Sequence, residues 1–185
     1  MKTLTLFLAA VALRFADRAF GRLAINTSID TEGPVVTRLA DATHTDFILV
    51  KRGSTAATGY AVCGASDQPF GVVLDTVATG QTGQGRAVRM LGLGDKTVPV
   101  RVSEASTIGA LAVTATSGEV QSGVPATAGT YWIVGIHTKA QGTASALGEI
   151  LPCRPQKLVV VANASTLSQT QAAMVNGAIV EVLGA

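Results

Sequence analysis

The sequence predicts an all-β or mainly β fold, a compact barrel or sandwich of short antiparallel strands. Apolar and polar residues alternate in short segments, most regularly in TVPVRV (97–102), where Val98, Val100 and Val102 fall on one face. Polar or glycine-containing turn sequences separate many of these segments, as expected of a barrel or a sandwich. An N-terminal apolar arm and one short C-terminal helix complete the predicted fold.

Three parts are predicted along the 185-residue chain. Residues 1–33 form an N-terminal arm and connection, residues 34–161 form the β-barrel or sandwich core, and residues 162–185 add a helix and a last strand that pack on the core. Pro99 is expected at an edge or a bulge, because proline cannot donate a ladder hydrogen bond. The expected core strands are 35–38, 47–51, 59–63, 70–74, 86–91, 97–102, 110–114, 131–136, 148–152 and 158–161.

The C-terminal helix is predicted over residues 163–175 (NASTLSQTQAAMV). Leu167, Gln171 and Met174 share one helical face, and serine and threonine residues precede them as candidate caps. After this segment, residues 178–183 (AIVEVL) are apolar and β-branched enough to indicate a final strand.

The N-terminal arm begins with MKTLTLFLAAVAL, which imitates a secretory signal. Its apolar run of about ten residues is too short to span a bilayer, and charged residues follow at once. We expect a retained segment that docks on a partner, with three arginines on one helical stripe. The alternative is that it covers its own core. The contact candidates are Leu4, Leu6, Phe7, Leu8, Val11, Arg14, Phe15, Arg18, Phe20 and Arg22.

The glycine-rich stretch TGQTGQGRAVRMLGLGDKT (79–97) imitates a phosphate-binding loop. Asp95 separates Gly94 from Lys96, which breaks the G-x-x-x-x-G-K-[ST] pattern and puts a carboxylate where a phosphate would bind. The sequences on both sides are strand-like, whereas a dinucleotide-binding loop opens a helix. We therefore interpret GLGDK as the turn of a β-hairpin, in which glycine supplies positive φ.

The composition argues against several classes of function. Charged residues make up 14% of the chain, below the roughly 25% of soluble domains, which indicates surface buried by partners. A net charge of +2 and an aromatic content of 4% do not indicate nucleic-acid binding. Cys63 and Cys153 form no C-x-x-C pair, so we expect two reduced thiols, with one cross-strand disulfide as the alternative.

No catalytic, metal or cofactor site is predicted. A nucleophile usually needs a histidine base, and the chain has two histidines. His44 lies between Asp41 and Asp46 in DATHTD, which we interpret as a solvated turn and not a metal site. His137 is expected at the end of a strand. Three arginines are expected on one outer face of neighbouring strands, either solvated or against an acidic partner: Arg86, Arg89 and Arg101.

A series of motifs runs in a fixed order through residues 47–152. They are PFGVVLD (69–75), AVRMLG (87–92), VPVRV (98–102), STIGALAVT (106–114), YWIVGI (131–136) and ALGEILP (146–152). This order resembles that of the small decoration, or cement, proteins of tailed-bacteriophage capsids. In that family a G-V-x-L-[DE] strand, a V-x-V strand, a G-x-L-x-T turn approach and an I-V-G strand recur.

The resemblance implies a non-enzymatic structural protein of the virion, located on the capsid exterior and assembled in the host cytoplasm. It implies that the chain binds the assembled head and stabilises contacts between major capsid subunits. It also implies a homo-oligomer, with a homotrimer favoured over a homodimer. The expected partners are the major capsid protein and further copies of the chain, without cofactor, direct nucleic-acid contact or membrane.

A secreted or periplasmic β-sandwich binding domain is the alternative, because of the signal-like start. A sugar site would need exposed aromatic side chains, and the candidates are Tyr60, Tyr131 and Trp132. A hydrolase on a β-barrel is a further alternative, although no base is evident. Glycan-binding and hydrolysis assays on the pure protein would separate both from the capsid interpretation.

Overall fold

The computed structural model describes residues 34–54, 58–92 and 96–162 and the strand backbone at 179–182. The all-β prediction is confirmed for these residues, whereas the predicted arm and the helix over 163–175 lie outside them. A turn of 3-10 helix spans Thr116–Gly118. The strands are β1 (Val35–Ala40), β2 (Ile48–Arg52), β3 (Gly59–Val62), β4 (Gly71–Val73), β5 (Gly85–Met90), β6 (Val98–Arg101), β7 (Leu111–Thr114), β8 (Val120–Ser122), β9 (Gly129–His137), β10 (Leu147–Val161) and β11 (Ile179–Val182).

The first five strands close into a barrel in the order β1-β3-β2-β4-β5. Strand β5 pairs with β1 to close the barrel, and the neighbours are antiparallel except for β1 and β3, which are parallel. A barrel of this size is filled by side chains. Its core residues are Ala40, Ile48, Val50, Tyr60, Val73, Val77 and Val88.

A second sheet has the order β11-β10-β9-β7-β8, and β6 pairs with the beginning of β10. Strand β10 is 15 residues long and replaces the two separate strands predicted at 148–152 and 158–161. Its register with β9 shifts between Pro152 and Gln156. The prolines of this stretch are tolerated because a bulge frees positions from the hydrogen-bond ladder. Strand β11 is parallel to β10, so the expectation of purely antiparallel pairing was incomplete.

GLGDK is not the turn of a hairpin, and that prediction was wrong. Strand β5 pairs with β1 and β4 in the barrel, whereas β6 pairs with β10 in the second sheet. Period-two patterns indicate strands but not which strands pair. Gly92 has a φ of +72°, and a Cβ there would lie 2.5 Å from the Cα of Arg154. The glycine therefore lets the chain pass close to β10 as it leaves the barrel.

The barrel and the second sheet share the largest apolar core. Barrel residues such as Leu49 and Val72 pack with side chains of the second sheet such as Val100 and Ile150, and all of them are buried. A hydrogen bond adds to this contact: the Trp132 indole N–H donates to the carbonyl of Ser66 at 3.1 Å. Pro99 lies on β6, whose neighbour among the described strands is β10, so its predicted edge position is confirmed.

Candidate functional site

The contact candidates predicted in the N-terminal arm, from Leu4 to Arg22, lie outside the described residues. Their docking role stays a prediction. The other residues singled out by the sequence lie within the described part of the chain, and the structure shows where each is placed.

The residues around His44 are exposed at Ala42, Thr43 and Thr45, as expected of a solvated turn, but His44 itself is half-buried. Its backbone forms an isolated bridge with Val77, and its Nε2 lies 2.6 Å from the hydroxyl of Tyr60. Burial lowers the pKa of His44. Asp41 accepts a hydrogen bond from the backbone of Ser54, 3.1 Å away, and Asp46 pairs with an arginine. The three side chains therefore have separate partners and do not converge on a metal.

His137 ends β9, as predicted, and is buried. Its Nδ1 has no hydrogen-bond partner among the described residues, and its Nε2 lies 3.5 Å from the carbonyl of Gln121. Burial lowers the pKa of His137. Within the described ranges, no group of three or more His, Cys, Asp or Glu side chains is placed to hold a metal ion.

The three arginines do not share an outer face. Arg86 and Arg89 are three residues apart on β5, so they point to opposite sides of the strand. Arg86 donates to Gln81 Oε1 at 2.9 Å, whereas Arg89 is buried and donates to the carbonyl of Lys96 at 3.4 Å. Arg101 lies on β6 in the other sheet. The expectation failed because its strands belong to different layers.

The aromatic candidates for a sugar site are largely covered. Tyr60 is fully buried in the barrel core, and burial raises its pKa. Tyr131 and Trp132 are half-buried, and the Tyr131 hydroxyl donates to the carbonyl of Thr127 at 3.1 Å. Tyr60 therefore cannot serve as an exposed ring for the alternative sugar-binding interpretation.

The two cysteines are free thiols in different environments. Cys63 is buried between the barrel and the second sheet, and burial raises its pKa to about 12. Cys153 is half-buried on β10, and burial raises its pKa as well. Neither thiol is activated for nucleophilic chemistry, because the reactive species is the thiolate.

The second sheet carries an exposed apolar groove with a volume of about 460 Å³. Among its lining residues, Leu111, Ile136 and Leu151 lie side by side on β7, β9 and β10, in direct cross-strand register. Ile136 is 40% exposed and Leu151 is 36% exposed. We call these three residues the apolar row. The groove is lined by Leu111, Val124, Ile133, Gly135, Ile136, Leu151, Cys153, Gln156 and Leu158.

A register shift and a close backbone approach shape this groove. Between β7 and β9, Ala112 is opposite Gly135 and Val113 is opposite Ile133, so β9 has one extra residue. The bulge allows Ile133 and Ile136, three residues apart, to line the same groove. A Cβ at Gly135 would lie 2.2 Å from the carbonyl oxygen of Leu151, so close pairing here requires glycine.

A buried cluster lies beside the apolar row. Val113, Ile133, Leu158 and Val160 are buried, and Leu111 packs against them. Strand pairing sets the backbone positions of the row, and Leu111 packs on the buried cluster, so the strands present the row without any rearrangement of the sheet. The sequence contained one signal for it: YWIVGI and LVVV are continuously apolar, which is typical of strands covered on both faces. Taken alone, these segments predict strands but no contact surface.

Comparisons with known proteins show similarity of fold. No protein-family model matches the chain, and no curated protein sequence matches it. Among solved structures, the chain is similar to "The crystal structure of head fiber gp8.5 N base in bacteriophage phi29", with a TM-score of 0.51 and 14% identity. The match covers 66% of this chain and 95% of that chain. Among the described residues, no helix is long and apolar enough to cross a membrane.

Proposed function

We propose that the chain is a structural protein of a tailed-phage virion that binds the exterior of the head and stabilises contacts between major capsid subunits. The observation that carries the proposal is the apolar row, three aliphatic side chains in register on a preformed face of the second sheet. Two further findings support it: the order of the sequence motifs, and a fold similar to the base of a phage head fibre.

The apolar row suits a partner protein better than a small molecule. The groove is open and lined mainly by aliphatic side chains, with Gln156 as its polar side chain apart from the Cys153 thiol. Exposed apolar surface of this kind is typical of protein contacts. The chain also has few charges, 14% of its residues, which fits a protein that covers much of its surface by association.

The energy of one such contact is modest. Full burial of a large aliphatic side chain contributes about 1.5–3 kcal/mol. Ile136 is 40% exposed, so covering it would contribute roughly 0.6–1.2 kcal/mol. A homotrimer, which we favour over a homodimer, would present the row several times and raise the overall affinity through effective concentration. Binding to the assembled shell but not to loose subunits then favours the shell by mass action.

The location can be tested with antibody-coupled gold on particles of the phage that encodes the chain. We expect label on intact heads before any disruption. Heads that lack the chain should release DNA at a lower temperature than complete heads. Label that appears only after the heads are opened would contradict the exterior location. Unchanged thermal release would contradict the stabilising role and leave the location intact.

A further inference from the structure

The barrel has an opening with a volume of about 250 Å³, which shares no lining residue with the groove of the apolar row. Every strand of the barrel contributes to it, either directly or, for β4, through the residue before the strand. The opening lies where the short ladder between β1 and β3 begins. This ladder has two registered positions. We call it the barrel opening; it is lined by Arg38, Arg52, Gly59, Phe70 and Met90.

The two arginines occupy positions that belong to the core face of their strands. Arg38 lies two residues before Ala40 on β1, and Arg52 lies two residues after Val50 on β2. Ala40 and Val50 are both buried in the barrel core. Side chains alternate along a strand. Both arginines therefore lie on the same face of their strands as these buried apolar residues.

Neither guanidinium has a hydrogen bond or an ion pair with another described residue, unlike the other arginines of the barrel. Arg38 is also directly opposite Arg86 in the β1–β5 ladder. Like charges in that position destabilise a sheet. Arg86 is held by Gln81 Oε1 at 2.9 Å and by the carbonyl of Gly85 at 3.1 Å. Arg38 has no ion pair with any residue that the structure describes.

The walls of the opening limit what can bind there. The Phe70 ring packs against the barrel core, and with the Met90 thioether it gives the opening apolar sides. Gly59 lines the opening and has no side chain to fill it. The volume of the opening is large enough for one or two side chains of a bound peptide. Guanidinium groups bind carboxylates through paired, charge-assisted hydrogen bonds.

We propose that the barrel opening binds an acidic peptide segment, with a glutamate or aspartate carboxylate between Arg38 and Arg52 and a neighbouring aliphatic side chain against Phe70 and Met90. This surface is different from the apolar row. The inference does not depend on the proposed location of the chain on a phage head.

The test is a titration of the ¹⁵N-labelled full chain with the peptide acetyl-Leu-Glu-Leu-Glu-Leu-amide. Binding is measured from the changes in backbone amide chemical shifts. We expect saturable shifts at Arg52, Gly59 and Met90. A peptide with Gln in place of Glu should cause none. Arg38→Gln and Arg52→Gln should each weaken binding by roughly tenfold, the effect of losing a charge-assisted hydrogen bond. Arg154→Gln, which removes an exposed arginine of β10, should bind as the parent chain does.

Three results would overturn the proposal. The Gln peptide could shift the same amides with equal affinity, inorganic phosphate could bind there more tightly than the Glu peptide, or Arg154→Gln could weaken binding as much as Arg52→Gln. Circular dichroism of each variant checks that it is folded. Arg52 is exposed, so Arg52→Gln keeps the test valid even if Arg38→Gln disturbs the barrel.

Discussion

Ile136 in β9 and Leu151 in β10 are directly opposite each other in an antiparallel ladder, and both side chains are more than one-third exposed. Aliphatic pairs in this position normally stabilise a sheet by packing. Here Leu111 extends the pair to a third strand, and a buried cluster lies beside it. Strand pairing therefore sets the backbone positions of the three residues before any partner binds, which lowers the entropy cost of binding.

Replacing Gly135 by alanine should destabilise the fold. The new Cβ would lie 2.2 Å from the carbonyl oxygen of Leu151, and a backbone atom cannot move aside as a flexible side chain can. We expect a loss of about 1–3 kcal/mol in the free energy of unfolding, measured by urea denaturation. Gly142→Ala is the matched control, because nothing lies within 4 Å of a Cβ there. Equal losses in the two variants would contradict the close approach.

The stability of the fold should decrease as the pH falls below about 6.5, the ordinary pKa of histidine. Burial lowers the pKa of His137 in the folded state, so the unfolded chain binds more protons in this range. The loss should level off below the folded pKa. His44 contributes in the same direction. The pKa of Asp67 is also lowered, mainly by Lys51, but its contribution is lost only near or below pH 3.8.

Urea unfolding at pH 7.5 and at pH 5.5 checks this prediction. The parent chain should lose stability between the two conditions, and His137→Gln should lose less. The pH dependence of His44→Gln is measured for comparison, because the His44 ring is hydrogen-bonded to Tyr60 in the barrel. If His137→Gln retains the full pH dependence of the parent chain, His137 is not the group responsible.

The two thiols should differ in reactivity towards iodoacetamide. Cys63 is buried, with its pKa raised to about 12, so it should react only after unfolding. Cys153 lines the apolar groove and should react first, although slowly, because burial raises its pKa too. Intact mass measured over time gives both rates. A chain that takes up label in denaturant only after reduction would contain a disulfide and contradict the expectation of free thiols.

The N-terminal arm is expected to add to particle binding. Deletion of residues 2–22 should leave a folded β-structure by circular dichroism and abolish sedimentation with particles, because each large apolar side chain contributes about 1.5–3 kcal/mol on full burial. Full occupancy by the truncated chain would contradict the docking role. A truncated chain that does not fold would instead indicate that the arm covers its own core.

Strand positions could be predicted from the sequence because they depend on local alternation. TVPVRV alternates cleanly, and β6 lies within it at Val98–Arg101. Strand pairing could not be predicted, because it depends on contacts between distant residues. The hairpin expected at GLGDK was wrong for this reason, because β5 and β6 pair with different strands. Strand β8 (Val120–Ser122) was not among the predicted strands.

The candidate site was harder to predict than the fold. Ile136 and Leu151 belong to segments that were correctly predicted as strands, but their exposure depends on bulges in β9 and β10 that no local pattern indicates. Arg38 and Arg52 gave no signal either, since a lone arginine in a strand is usually solvated. Only the closure of the barrel brings them to the same opening.

The most direct test of the central claim is co-sedimentation of the variant Ile136→Ser/Leu151→Ser with purified phage heads. We expect the variant to fold and to bind roughly tenfold more weakly or worse, because it loses two partly exposed aliphatic side chains from the contact. Ile108→Ser, which changes a side chain that is 65% exposed and outside the groove, should bind as the parent chain does. A folded double variant that binds heads with the affinity of the parent chain would contradict the claim.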